Sequence, residues 1–139
     1  MSPEVLAALH ARCFVTPPPW TVAGFRALLA DPQVFLAVAA NDGGFVLGRV
    51  VVGEAEVLTL AVDPLRRRKG LALDLMTAFE SEARARGATE AFLEVAEDNA
   101  PARALYAACG WQQRGRRPRY FRNTAGEPVA ALILCKSLA

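Results

Sequence analysis

Leu58-Thr59-Leu60-Ala61-Val62-Asp63-Pro64-Leu65-Arg66-Arg67-Arg68-Lys69-Gly70-Leu71-Ala72-Leu73 is the stretch that decides how this chain folds. It opens on a run suited to a strand, and Asp63-Pro64 stops that strand because proline cannot extend a ladder. Beyond Gly70 the period changes. Leu71, Leu75, Ala78, Phe79 and Ala83 recur at helical spacing until Gly87 closes the helix. Four consecutive cations lie between the strand and the helix. A helix N-terminus already carries partial positive charge, so Arg66, Arg67, Arg68 and Lys69 are each opposed there by up to ~1 kcal/mol unless an anion compensates. Gly70 permits a tight turn, and the small Ala72 lets backbone N–H groups close on a phosphate. Taken without context, the run reads equally well as a solvated charge cluster in front of a helix.

Working downstream, Ala91 to Ala96 is a short apolar strand. A strand, helix, strand succession of this length predicts a parallel pair joined by a right-handed crossover. Asp98 or Asn99 caps a further helix, Ala100 to Cys109, which Gly110 ends. Strand-like runs follow from Trp111 to Phe121 and from Val129 to Ser137, with Asn123, Gly126 and Pro128 in the turn between them. Upstream, Val34 to Ala40 and Phe45 to Val52 flank the turn Asn41-Asp42-Gly43-Gly44, and Gly53 separates them from Ala55 to Val62, an antiparallel meander. At the N-terminus, Pro3 after Ser2 opens a helix with Val5, Leu6, Leu9 and Cys13 at helical spacing. Three prolines, Pro17 to Pro19, stop it. Thr21 then caps a second helix with Val22, Phe25, Leu28 and Leu29 inward. The fold class expected is α/β, a single domain over residues 1–139.

Composition narrows the chemistry. With 139 residues and 53% hydrophobic content, a sizeable core is expected and disorder is not. No run of 18 apolar residues occurs, and the first residues carry Glu4 without a basic stretch, so neither a transmembrane helix nor a signal peptide is expected and the default compartment is cytoplasmic. Cys13, Cys109 and Cys135 are odd in number and widely spaced, and His10 is the only histidine. That pattern argues against a metal centre or a disulfide framework. Each cysteine reads as a small buried hydrophobe, and His10 as a surface or packing residue. The net charge is only +2, yet nine of the sixteen basic residues fall in two runs, Arg66 to Lys69 and Arg114 to Arg122. Such localised charge points to an anionic ligand or an acidic surface.

Two strings together resemble one family. Leu58 to Pro64 followed by Arg67-Arg68-Lys69-Gly70-Leu71-Ala72 resembles motif A of the GNAT acetyltransferases, whose pattern is Gln/Arg-x-x-Gly-x-Gly/Ala. Leu93-Glu94-Val95-Ala96-Glu97-Asp98-Asn99, then Ala104-Leu105-Tyr106 and Gly110-Trp111, resembles the second half of that fold, and specifically its ribosomal-protein-alanine N-acetyltransferases, the RimI branch. The resemblance runs from about Trp20 to Leu138 and includes Pro19-Trp20.

This resemblance implies acetyl-CoA as co-substrate and no metal. The amides and side chains of Arg67, Arg68, Lys69, Gly70, Leu71, Ala72 and Leu73 are expected to hold its phosphates. Leu60, Ala61 and Val62 are expected to pair with pantetheine where two strands splay apart, and Asn99 to contact the cofactor. Glu94 matches the family's general base and Tyr106 its general acid. The residue types suit the chemistry. An α-amine has a pKa near 8 and must shed a proton before it attacks a thioester, while a phenol near 10 remains protonated and can supply the departing thiolate. Glu94 reads also as a carboxylate on the open face of a sheet, and Tyr106 as a packed ring.

The acceptor implied is a protein N-terminal amine, the alanine of a small-subunit ribosomal protein. Glu54 or Glu56 is placed to attract that amine, and Tyr120 to flank the peptide; all three read equally as exposed strand residues. A GNAT acting on a small-molecule amine or a lysine is the rival within the class. From another class, a nucleic-acid-binding module would use the arginine cluster of Arg114 to Arg122 with Tyr120 and Phe121 as stacking surfaces. The family begins with a strand before its first helix, whereas this chain starts almost directly in the helix, so a mixed central sheet of about six strands flanked by helices is expected.

Overall fold

The computed structural model describes residues 1–14, 18–67 and 70–139. Arg68 and Lys69, which the sequence nominates for the cofactor loop, lie outside the described residues. Two helices, α1 (Pro3–Cys13) and α2 (Val22–Leu29), come first, followed by strands β1 (Val34–Val38), β2 (Gly44–Val51) and β3 (Glu54–Val62). Helix α3 (Leu71–Ala85), strand β4 (Glu90–Ala96), helix α4 (Ala100–Ala108) and strands β5 (Gln112–Arg122) and β6 (Pro128–Ser137) complete the order. The six strands form one mixed sheet in the order β1-β2-β3-β4-β6-β5, in which only β3 and β4 run parallel. No helix among the described residues is long and apolar enough to cross a membrane.

Local chemistry sets the helix ends. Ser2 Oγ accepts from the Val5 N–H (3.2 Å) and Thr21 Oγ1 from the Gly24 N–H (3.0 Å), each satisfying an orphan donor of the first turn. Asn99 rather than Asp98 caps α4, its Oδ1 accepting from Ala102 N–H at 3.2 Å. Strand β1 stops at Val38, two residues short of the span its sequence suggests. Asn41 and Asp42 there both adopt positive φ, which short polar side chains tolerate, and the chain turns before Ala40 can pair.

The sheet separates two apolar cores. Met76, Phe79 and Ala83 of α3 pack on one face with Phe35, Val46, Leu93 and Leu132. Leu6 and Leu9 of α1 and Phe25 of α2 pack on the other with Phe45 and Leu47. Gly48 of β2 lies where the first core is tightest: a Cβ there would meet Phe35 Cζ at 2.5 Å and Phe79 Cε1 at 2.8 Å. A β-bulge decides which face β3 offers. The register passes from Leu47↔Thr59 to Gly48↔Val57, leaving Leu58 as the extra residue. Ala55 and Val57 therefore join the α3 core, whereas Ala61, with the same parity, joins the α1 core.

The β2–β3 hairpin closes through Val52 and Gly53, at φ 48° and 77°. A two-residue turn with both φ positive is the arrangement that Asn-Gly favours, and a β-branched residue is strained in it. Val52 is 98% exposed, so packing supplies no offset. Val52→Asn is expected to stabilise the protein by about 1 kcal/mol, seen as a higher melting temperature; an unchanged or lower value would refute the strain.

Candidate active site

The site starts from a break in the sheet. Strands β3 and β4 pair in parallel only from Glu54↔Glu90 to Glu56↔Phe92. Beyond that point β3 runs on to Val62 and β4 to Ala96 without pairing to each other, and two adjoining cavities occupy the gap. One, of about 370 Å³, takes His10, Trp20, Thr59 and Glu94 from the α1 side and Leu93, Leu105 and Tyr106 from the α3 side. It therefore passes through the plane of the sheet. The other, of about 440 Å³, is lined by Leu60, Ala61 and Val62, by Arg66 and Arg67, and by Gly70 to Leu73. Phe14, Asn99, Ala102 and Leu105 line both, which makes one continuous channel.

The second cavity ends on a helix terminus that fits a phosphate. Gly70, at φ 77°, is the N-cap of α3, and among the described residues no side-chain hydrogen bond caps that helix. The first-turn amides of an α-helix have no partner within it and carry the positive end of the dipole. The positive φ favours glycine here, and among the described residues a Cβ on Gly70 would meet nothing within 4 Å, so the space beside it is open. Arg66 and Arg67 do not crowd the terminus. Arg66 donates to the Asn41 carbonyl, and Arg67 Nε donates to the Val62 carbonyl at 3.4 Å. Cys13, half-buried in the same cavity, donates its thiol to that Val62 carbonyl at 3.2 Å, and burial pushes the thiol pKa up. Asn99 spends its side-chain oxygen on the α4 cap while lining the channel, which leaves its NH₂ group available there.

In the first cavity Glu94 and Tyr106 arrive from opposite faces. Glu94 faces Arg117, whose Nη2 is 3.3 Å from Glu94 Oε1 and whose guanidinium stacks over the Tyr120 ring at 5.2 Å. Tyr106 is 7% exposed with its ring edge-on to Trp111, and burial pushes its phenol pKa up, so it stays protonated. Tyr120 and Phe121 line the cavity from β5, whose path is bent by a register shift between Arg117 and Phe121. Arg116 secures that strand by a two-pronged pair with Glu97 (2.6 and 3.1 Å). Of the two carboxylates nominated on β3, Glu56 lines the cavity, paired to Arg49 at 2.8 Å. Glu54 does not line it: Glu56, opposite Phe92, is the last paired residue before the break, whereas Glu54, opposite Glu90, stands at the far end of the paired segment.

Of the cavity and rim residues, His10 and Thr59 carry no site role in the sequence, whereas Trp20 belongs to the Pro19-Trp20 step of the family resemblance and Arg117 to the Arg114 to Arg122 cluster. His10 is not on the surface: it is 1% exposed, stacked on Phe14 (4.1 Å) and Trp20 (5.2 Å). Its Nδ1 accepts from the Trp20 backbone N–H at 3.1 Å, and its Nε2 lies 2.9 Å from Thr59 Oγ1. Desolvation pushes its pKa down to about 4. A single histidine on the apolar face of a helix, ten residues before a Pro-Trp step, was the only signal available.

The sequence profile of the acetyltransferase (GNAT) family matches residues 4–111. The N-alpha-acetyltransferase RimI of Mycobacterium tuberculosis is 38% identical over 128 residues, covering 87% of this chain and 79% of that protein. The ribosomal protein bS18-alanine N-acetyltransferase of Escherichia coli is 30% identical over 132 residues, covering 94% and 89%. The crystal structure of the corresponding Escherichia coli S18-alanine enzyme superposes with a TM-score of 0.87 at 26% identity, over 99% of this chain and 88% of that one.

His10 also links the site to stability. The native state holds it neutral down to about pH 4, whereas an unfolded histidine takes up a proton near 6.5. Below that value the unfolded state binds more protons, so this contribution is complete above pH 6.5 and is lost as pH falls toward 4. The loss should amount to on the order of 2 to 3 kcal/mol. Urea denaturation at pH 7 and pH 4.5 is expected to show a smaller acid-induced loss in His10→Gln than in the wild type; equal losses would refute it.

Proposed function

The chain belongs to the GNAT acetyltransferases and is an acetyl-CoA-dependent N-acetyltransferase, and we propose that it acts on a protein N-terminal α-amine, the alanine of a small-subunit ribosomal protein, with Glu94 as general base and Tyr106 as general acid. The observation that carries this reading is the channel through the parted strands. It joins an uncapped helix terminus suited to phosphate to a chamber in which a carboxylate and a buried phenol line the same space.

Acetyl-CoA supplies the activated thioester. The first-turn amides of α3, with Arg67 alongside, hold its phosphates, and the free edge of β3 at Leu60, Ala61 and Val62 receives the amide-bearing arm as an added strand would be received. Glu94 takes the proton of the incoming ammonium, directly or through water, and orients the freed amine. Arg117 lies against the same carboxylate, so the acceptor's cation competes with a resident one for Glu94. Tyr106, which burial keeps protonated, gives its proton to the departing sulfur. Tyr120 and Phe121 form a wall along which the acceptor's next residues extend. The Escherichia coli relative named for alanine acetylation and the Mycobacterium tuberculosis relative named for N-alpha-acetylation support the acceptor, as does the ~100-fold larger free-base fraction of an α-amine over a lysine at neutral pH.

Saturating acetyl-CoA is expected to raise the melting temperature of the wild type and not that of Gly70→Val. A wild-type melting curve indifferent to acetyl-CoA would remove the cofactor assignment.

Glu94→Gln should lower the rate on an N-terminal alanine peptide by about 10²-fold or more, most severely at low pH where the amine is protonated, with partial recovery as pH rises. Tyr106→Phe should lose rate without that recovery. Wild-type rates in both variants would exclude the assigned roles, and faster acetylation of a peptide whose one free amine is a lysine would exclude the acceptor.

A further inference from the structure

The hydrogen-bond directions around His10 are fixed by its neighbours. The Trp20 backbone N–H can only donate, so His10 Nδ1 is the acceptor and carries no hydrogen. The ring hydrogen of the neutral imidazole therefore sits on Nε2 and points at Thr59 Oγ1, 2.9 Å away. Stacking against Phe14 and Trp20, with the edge of Phe25 at 5.4 Å, prevents the ring from turning over to exchange its two nitrogens. Thr59 thus receives a hydrogen bond from His10, and its own hydroxyl hydrogen must be directed elsewhere.

Among the described residues nothing accepts that hydrogen. Thr59 is only 7% exposed, and the surface it keeps lines the chamber that holds Glu94. A donor so buried costs about 1 to 3 kcal/mol if it goes unmet. The bulge at Leu58 turns Thr59 toward the α1 face, the face on which Glu94 stands across the parted strands. The chamber thus pairs a carboxylate, which suits an ammonium, with an oriented neutral donor, which suits a carbonyl oxygen. An α-amine of a peptide has a carbonyl two bonds from its nitrogen, whereas a lysine side chain has only methylenes there.

We propose that Thr59, oriented by His10, donates to the first carbonyl oxygen of the acceptor peptide and thereby selects α-amines over amines that lack a neighbouring carbonyl. This rests on the N-terminal acceptor reading given above and adds a specificity residue to it. Thr59 does not move a proton in the reaction.

The test compares an N-terminal alanine peptide with an analogue whose first peptide bond is replaced by a trans-alkene, each variant being referred to the wild type on the same acceptor so that differences in amine pKa cancel. Thr59→Val is expected to lose about 10- to 100-fold in kcat/KM on the peptide and less than about threefold on the alkene analogue. Thr59→Ser should restore the peptide rate. His10→Gln, whose amide can accept from Trp20 and donate to Thr59, should keep most of it. Equal losses on both acceptors would make the His10–Thr59 contact a structural tie between α1 and β3 and overturn the inference. The wild type alone gives a second check that needs no variant to fold: with each rate referred to the free-base amine present, kcat/KM for the peptide should exceed that for the analogue by about tenfold or more, and parity overturns the inference while leaving the acceptor reading in place. Failure of the wild type to acetylate any peptide N-terminus would overturn the acceptor reading and this inference with it.

Discussion

Two neighbouring strands that stop bonding to each other govern this molecule. Strands β3 and β4 hold register for three residue pairs and then diverge, leaving the facing backbone groups of residues 57–62 and 93–96 without a strand partner. Buried amides cannot remain unpaired cheaply, so a gap of this kind persists where water or an amide-bearing ligand completes the ladder. The sheet tolerates the break because each strand is secured on its other side. The β3 strand pairs with β2 along its length, and β4 pairs with β6 from Glu90↔Ser137 to Ala96↔Ala131.

The two ends of the channel use different physics. The α3 terminus offers fixed backbone dipoles and a glycine conformation, with Arg67 alongside. At the other end everything depends on side chains whose surroundings have been pushed apart. Glu94 meets a guanidinium and remains partly open to solvent, while Tyr106 is enclosed by apolar groups and Trp111. A carboxylate and a phenol that line one cavity in such different settings are what the proposed division of two proton transfers requires.

How much of this was legible follows from sequence distance. The α3 terminus is one continuous stretch, strand then turn then helix, so Asp63-Pro64, the cations and Gly70 announced it together. Asn99, Glu94 and Tyr106 are likewise close in sequence, on one strand and the helix that follows. The chamber that holds Glu94 is not. His10 meets Thr59 across 49 residues, and Arg117 reaches Glu94 from a different strand of the sheet. No local pattern reports such a meeting. The bulge at Leu58 was equally hidden, since it is a property of the pairing with β2, and its effect on facing could not be read from alternation in β3 alone. Glu54 and Glu56 looked alike in sequence because only the point at which β3 leaves β4 distinguishes them.

The two apolar cores carry a consequence for divergence. The core built on α3 supports the helix terminus and the phenol, and the core built on α1 and α2 supports His10, Trp20 and the chamber wall. With a sheet between them, substitutions in one core share few partners with the other, and their effects on free energy should be close to additive. Substitutions in α2 and around Trp20 therefore reshape the chamber that holds Glu94 without sharing partners with the α3 terminus, whereas the end of α1, where Cys13 and Phe14 line the other cavity, is tied to both.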